Sequence, residues 1–538
     1  MRLTFTISCL LFLTVVKGFG QTWPENLILT PERTNFKKTS TYAEVMTFVN
    51  GIDPLSDKVN VVSMGKSKEG KEIPLVILSK DKISTPEEAK RSGKFVIYIQ
   101  GNIHAGEVEG KEAVMMLMRD IVLGSKQHLL DQQIILFAPI YNTDSNDKME
   151  KGRRPSQEDS PEEVGIRENS QGLDLNRDGV KLEAFETQAL LTVINAWDPQ
   201  IFVDLHTTNG TWHAYSLTWA PNYHFAGEPD TYVYNNTVML PAITKSMQTN
   251  YGLRLGPYGD YDVREGWPVK NFYTYNHHPR YLINNFSLRN RMAILSEAFA
   301  HERFYQRVHS TYSFVTEILE YTNQHAQEIS AINQKAEREA IRKVREEAGK
   351  IKKGVRFKMV SHETIDDFIT YDYVSTKKAD STLQWFRTGK IVSFDGVKYF
   401  GQFEATVEST LPSGYIIPAE FSSIAEHLQK LGVKVERLTK SSSFTGESFQ
   451  VDKFTTSSRQ FEGHNMASVE GKFVHATQKF KKGDFKVDLA QPLANLIFYL
   501  LEPQSDDGLV TWNFFDQHFQ KGNANQPVTY PVFKYYIH

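Results

Sequence analysis

The sequence predicts an α/β fold with a mixed central β-sheet flanked by helices, followed by a smaller C-terminal α+β domain. Three observations carry this. From about Tyr42 to Phe314, short β-rich runs alternate with helical patterns, the signature of strands separated by packed helices. The runs, "FVIYIQG" and "QIILFAPIYN" among them, are apolar without polar alternation, as strands covered on both faces are. Beyond Gly354 the rhythm changes to short strands and turns.

The chain has 538 residues, 40% hydrophobic and 23% charged, with a formal net charge of -3. That is a globular composition long enough for two or more cores, and its charge balance carries no signal of a nucleic-acid surface. Residues 1–20, "MRLTFTISCLLFLTVVKGFG", combine a basic start at Arg2, an apolar stretch and a small-residue end. They read as a cleaved secretory signal, with Gln21 the expected mature start and a secreted or periplasmic location. The apolar run is short for a membrane anchor, and no later stretch is apolar enough for a transmembrane helix. The single cysteine, Cys9, lies within the leader. The mature chain therefore has no disulfide, cysteine nucleophile or thiolate metal site, so any zinc must be held by His, Asp or Glu.

Residues 21–320 are expected to form the catalytic domain, 321–354 a linker helix and 355–538 an accessory domain. Strands are expected at "VNVVSMG", "PLVILSK", "FVIYIQG", "QIILFAPIYN", "PQIFVDLHT" and "RMAILSEAF", and a helix at "EAFETQALLTVINAW". "INQKAEREAIRKVREEAGKIKKG" has charges of interspersed sign and reads as a solvated helix. Past it, "GYIIPAEFSSIAEHLQKLGVKVERL" reads as a βαβ unit. "LAQPLANLIFYLLEP" reads as a buried helix, and Asp506 to Gly508 as a turn.

Chemistry is expected where strands end. After Phe95–Ile99, the turn carries His104 and Glu107, followed by a helix from Gly110. The spacing suits two metal ligands but is also met by chance, since "HAQE" (His325, Glu328) repeats it on the charged helix. His206, leaving "PQIFVDLHTTNG", is the candidate third ligand, although a histidine there also serves as a simple strand cap. Two histidines and a glutamate leave a fourth position open, as catalytic zinc requires. In "GIRENSQGLDLNRDG", Arg167, Asn176 and Arg177 offer donors suited to a carboxylate. Glu297, ending "RMAILSEAF", is either an ordinary ion-pair partner or a general base.

These motifs, in this order, resemble the zinc carboxypeptidase family that includes carboxypeptidases A and B, over roughly Asn35 to Tyr312. The wording of "DLHTTNGTWHAY" is similar to a bacterial secreted subgroup that has a C-terminal accessory domain. The resemblance implies one Zn2+ per chain on His104, Glu107 and His206, with Glu297 as general base and Arg167 polarising the scissile carbonyl. It implies that Asn176 and Arg177 clamp the free C-terminal carboxylate of a peptide substrate. It also implies that Asp174 holds the outer nitrogen of His104. Arg153 and Arg154 are alternatives to Arg167, and Tyr275 or Tyr281 is the expected tyrosine over the substrate terminus. Arg280, Arg289 and Arg291 suggest either an acidic substrate side chain or structural ion pairs. Two other readings stay open: a zinc amidase acting on cell-wall peptides or N-acyl amino acids, and a binding protein on an inactive scaffold.

Overall fold

The computed structural model describes residues 23–159, 161–521 and 528–537. The expected leader lies outside them. An eight-stranded sheet is built from β1 (Val59–Lys66), β2 (Glu72–Leu78), β3 (Phe95–Gly101), β4 (Gln133–Ala138), β5 (Ile201–Thr207), β6 (Leu217–Pro221), β7 (Leu255–Pro257) and β8 (Met292–Ala298). Its order is β1-β2-β4-β3-β5-β8-β6-β7. Strands β4, β3, β5 and β8 run parallel at the centre; β1 pairs antiparallel with β2, β2 with β4 and β6 with β8, and β7 runs parallel to β6 at the far edge. The sheet is mixed, as its sequence predicts.

Alternate residues of each central strand feed two cores, which explains the unbroken apolar runs. On one face Ile97, Ile99, Ile135, Val203 and Ile294 pack with Val114, Leu117 and Ile121 of α1 (Glu109–Val122). On the other, Tyr98, Leu136, Phe202 and Leu295 pack with α2 (Phe185–Trp197) and α3 (Leu282–Leu288). Phe202 is stacked between Tyr98 and Phe286, with ring centroids 5.5 and 4.5 Å away. Two glycines set how closely α1 docks. A Cβ on Gly110 would lie 2.6 Å from Leu205 Cβ, and one on Gly101 would lie 2.8 Å from the Lys111 nitrogen. No side chain fits at either point.

The helix expected at 321–354 starts earlier and is not a solvated linker. It is the second half of α4 (Phe304–Glu347), a 44-residue helix. Phe314, Ile318, Leu319 and Ile329 lie in the first core, whereas Ala340 and Val344 lie in the core of the C-terminal part. The next strand begins at Lys352.

The C-terminal part contains the fully buried helix α5 (Ala494–Leu501) and a long hairpin of Ser442–Thr456 with Ala467–Phe480. Gly414–Ile417, the helix Ser422–Lys430 and Glu436–Arg437 form the expected βαβ unit, but split. Phe485–Asp488 lies between the two strands and pairs antiparallel with both. The two parts also share a sheet, because Asn271–Tyr273 pairs in parallel with Val397–Phe400. Among the described residues, no helix is long and apolar enough to cross a membrane.

Phe202→Ala removes the ring that joins the sheet to α3 and leaves a void that the sheet cannot close. It is expected to cost about 3–5 kcal/mol, read as a lower midpoint of urea unfolding.

Candidate active site

Strands β3, β5 and β8 are parallel neighbours, so their C-terminal ends open at one edge of the sheet. The turn leaving β3 supplies His104 and Glu107. His206 is next to last in β5, and the register places Glu297 of β8 directly opposite it. Two elements far apart in sequence, the turn after β3 and the end of β5, thus deliver His104, Glu107 and His206 with donor atoms all within 4.8 Å of one another.

The Glu107 carboxylate lies between the histidines. Its Oε1 is 3.0 Å from His104 Nδ1, and its Oε2 is 3.0 Å from His206 Nδ1. The outer nitrogens face other carboxylates. His104 Nε2 lies 3.0 Å from Asp174 Oδ1, and His206 Nε2 lies 2.9 Å from Asp204 Oδ2. A carboxylate at Nε2 draws the single proton of a neutral imidazole outward and leaves the Nδ1 lone pair facing in. Two inward imidazole nitrogens and one carboxylate, all buried, form a donor set that fits zinc.

Asp174 opens a short 3-10 turn at Leu175–Arg177. Its Oδ1 also accepts from the Asn176 amide at 2.9 Å, and its Oδ2 accepts from Arg167 Nε at 3.0 Å and is 2.9 Å from Arg167 Nη2. Burial pushes this carboxyl up, but His104, Arg177 and Arg167 hold it well below the usual carboxylate range. Glu107, buried as well, is also driven down, by His104 and Arg154. Glu297 behaves oppositely. Burial pushes it up to about 8; His206 and the arginines oppose the shift, and the Glu107 charge reinforces it.

His104, Glu107, His206 and Glu297 line a cavity of about 170 Å³ with Arg154, Arg167, Asn176, Arg177, Thr207, Tyr258, Tyr275 and Tyr281. Arg177 stacks on Tyr281 at 4.5 Å, and Asn176 Oδ1 accepts from the Leu282 amide at 3.1 Å. The alternatives to Arg167 separate. Arg153 turns out to Glu150 at 2.6 Å, away from the cavity. Arg154 enters it, with Nη1 3.0 Å from Glu107 Oε1 and Nη2 donating to the Thr207 carbonyl at 3.0 Å. Both expected tyrosines are in the wall: Tyr275 donates to Asn284 Oδ1 at 3.2 Å and packs against the Tyr281 ring.

Other sequence candidates lie elsewhere. Arg280 pairs with Asp507 at 2.6 Å, Arg291 with Asp198 and Glu337, and Arg289 donates to Asn285 and the Leu431 carbonyl. All three are structural, so none presents a charge to an acidic substrate side chain. Asp506 and Asp507 do bend the chain, and they also face the pocket-side loop, Asp507 as the ion-pair partner of Arg280 and Asp506 towards His277. His325 and Glu328 pair with each other at 3.0 Å on an exposed helix face, and Glu328 also accepts from the Tyr234 hydroxyl at 2.9 Å.

Three contributors escape sequence reasoning. Asp204 has a signal in retrospect, because residues two apart on a strand share a face and it precedes His206 by two. Tyr258 has none. Glu462, at the tip of the long C-terminal hairpin, accepts from the Asp174 amide at 3.3 Å.

Residues 51–281 match the family model of zinc carboxypeptidases. Among curated proteins, the chain is 23% identical over 471 residues to "Carboxypeptidase 2" of Trichophyton equinum, covering 83% of this chain and 78% of that protein. It is 22% identical over 486 residues to "Carboxypeptidase 2" of Trichophyton rubrum, covering 87% and 81%. These alignments run well past the family match into the C-terminal part. Among solved structures, a metallo-carboxypeptidase from Burkholderia cenocepacia aligns with TM-score 0.40 and 14% identity over 53% of this chain and 70% of its own.

Asp174→Asn keeps the shape of the turn but weakens the hold on His104. Zinc affinity is expected to fall by about 10–100-fold, measured by competition with a chelator.

Proposed function

We propose, from the membership of residues 51–281 in the zinc carboxypeptidase family, that the protein is a zinc-dependent metallocarboxypeptidase that removes C-terminal residues from peptides. One observation carries this reading beyond the family: the His–Glu–His set, Glu297 and the Asn176–Arg177 pair share one cavity. His104, Glu107 and His206 would hold the zinc, which when bound supplies a Lewis acid and acidifies water.

Glu297 is the group placed to take and return a proton. Its carboxylate sits beside His206 at the outlet of β8, buried and with an affinity for protons raised toward neutrality. It removes a proton from the attacking water and delivers it to the leaving amine. Arg167 polarises the scissile carbonyl and stabilises the developing oxyanion. Two guanidinium nitrogens are spent on Asp174, and Nη1 is directed inward, 3.6 Å from Glu107 Oε1. Arg154 is more buried and committed to Glu107 and the Thr207 carbonyl, which suits it to positioning Glu107.

Arg177 and Asn176 bind the terminal carboxylate, the charge that only a chain end carries. Tyr275 and Tyr281 flank that position. Ile283 and Leu295 complete the wall, and every lining cation already has a role, so an apolar or neutral terminal residue fits better than an acidic one. The C-terminal part acts as an accessory region that fixes the cavity walls. The leader-like residues 1–20 support export, giving a secreted or periplasmic enzyme.

Glu297→Gln is expected to lower kcat by about 10²–10⁴-fold with little change in zinc content. Full activity in that variant would remove Glu297 as the base. In the wild type, kcat/KM should rise with pH through a limb at or below about 8, since the carboxyl must lose its proton and a bound dication favours its ionised form. That limb should vanish in Glu297→Gln.

Arg177→Ala should cost on the order of 100-fold in kcat/KM on peptides with a free C-terminus. The zinc amidase alternative makes a different forecast: C-terminally amidated substrates turned over as well as free acids, and indifference to Arg177→Ala. Mass spectrometry of a mixed peptide library separates stepwise C-terminal loss from internal or amide cleavage.

A further inference from the structure

The loop before α3 carries two adjacent histidines that the proposed catalysis does not use. His277 is 1% exposed, yet neither of its ring nitrogens has a hydrogen-bond partner. Its Nε2 lies 3.3 Å from Asp506 Oδ2, outside hydrogen-bond geometry. His278 is beside it, and donor atoms of His277, His278 and Asp506 all lie within 4.8 Å of one another. A buried imidazole with both nitrogens unsatisfied, facing a carboxylate, is an arrangement that calls for a missing partner.

We infer that His277, His278 and Asp506 form a second zinc site, which ties the pocket-side loop to the C-terminal part. Imidazole and carboxylate donors without thiolate are within the ligand set of zinc. The carboxylate is already oriented from outside: Asp506 accepts from the Tyr499 hydroxyl and from the Phe357 amide at 2.9 Å. Such outer bonds hold metal-ligating carboxylates in place. The rings of Phe357 and Phe403, each 4.9 Å from that of His277, wall the site from water. His224, whose buried Nε2 also has no partner, has its ring 5.2 Å from that of His277 and stands next in line as a donor.

Of the nearby cations, Arg280 pairs with Asp507 at 2.6 Å, and Lys353, which shares Glu228 with Lys343, is pushed down to about 8 by burial. The site is separate from the first, since none of its three donors lines the active-site cavity. It lies close to that cavity in the chain, however, for Tyr275 and Tyr281 flank the two histidines. Zinc here fixes the segment carrying both tyrosines.

This inference does not depend on the carboxypeptidase reading, and metal content of the full-length chain tests it. Protein equilibrated with zinc and desalted is expected to hold about two zinc ions in the wild type, about one in His206→Ala, and none in His206→Ala combined with His277→Gln. His278→Gln, at a half-buried position, guards against a folding defect and is expected to lose the same single ion while keeping its circular dichroism. Adding zinc to His206→Ala should raise its melting temperature, and the rise should disappear with His277→Gln. The inference is overturned if folded His206→Ala retains no zinc and shows no such rise. It is overturned equally if neither His277→Gln nor His278→Gln changes the stoichiometry, which would leave His277 as the charged partner of Asp506.

Discussion

One carboxylate, that of Asp174, organises the edge of the sheet where the candidate site opens. Its Oδ1 faces the outer nitrogen of His104 and accepts from the Asn176 amide, and its Oδ2 takes two nitrogens of Arg167. The same group thus orients the His104 imidazole, the turn that presents Asn176 and Arg177, and the Arg167 guanidinium. Burying a carboxylate is costly unless it is paired and hydrogen-bonded, and this one is both. With its charge secured, the tautomer of His104 and the direction of Arg167 follow. Asp204 lies 2.9 Å from the outer nitrogen of His206 from within the same strand.

The pocket needs carboxylates in two different states, and local surroundings separate them. Glu107 faces two histidines and Arg154, which keep it ionised and available as a ligand. Glu297, a short distance away, is buried next to that negative charge and holds its proton more tightly. The two glutamates therefore differ in their hold on a proton, although neither residue type nor burial distinguishes them.

The C-terminal part is built into this arrangement instead of hanging from a linker. Glu462 reaches the Asp174 amide, His464 lies 2.9 Å from Glu183, and Tyr399 and Tyr223 bond through their hydroxyls at 2.6 Å. Asp507 holds Arg280 beside the pocket-side loop. The helix Phe304–Glu347, kinked at His325, contributes residues to both cores and so joins the two parts. Alignment of the fungal carboxypeptidases over more than four-fifths of the chain agrees with two parts that have travelled together.

The sequence by itself determined the mixed sheet, its main strands and the order of the catalytic motifs. Strands buried on both faces must be apolar throughout, and strand outlets bearing His, Glu and Arg stand out against them. It also identified α5 and the strands and helix of the βαβ unit, though not the strand inserted between them. The tertiary structure alone decided which arginine enters the cavity, since Arg153 and Arg154 are adjacent and differ only in the direction an irregular loop gives them. It also decided that Arg280, Arg289 and Arg291 are structural, that Asp506 and Asp507 face inward, and that the charged second half of the long helix carries a buried stripe. Periodicity reports the face a regular element buries against its own neighbours. The direction of a loop side chain, and a partner two hundred residues away, are set by packing that no local pattern records.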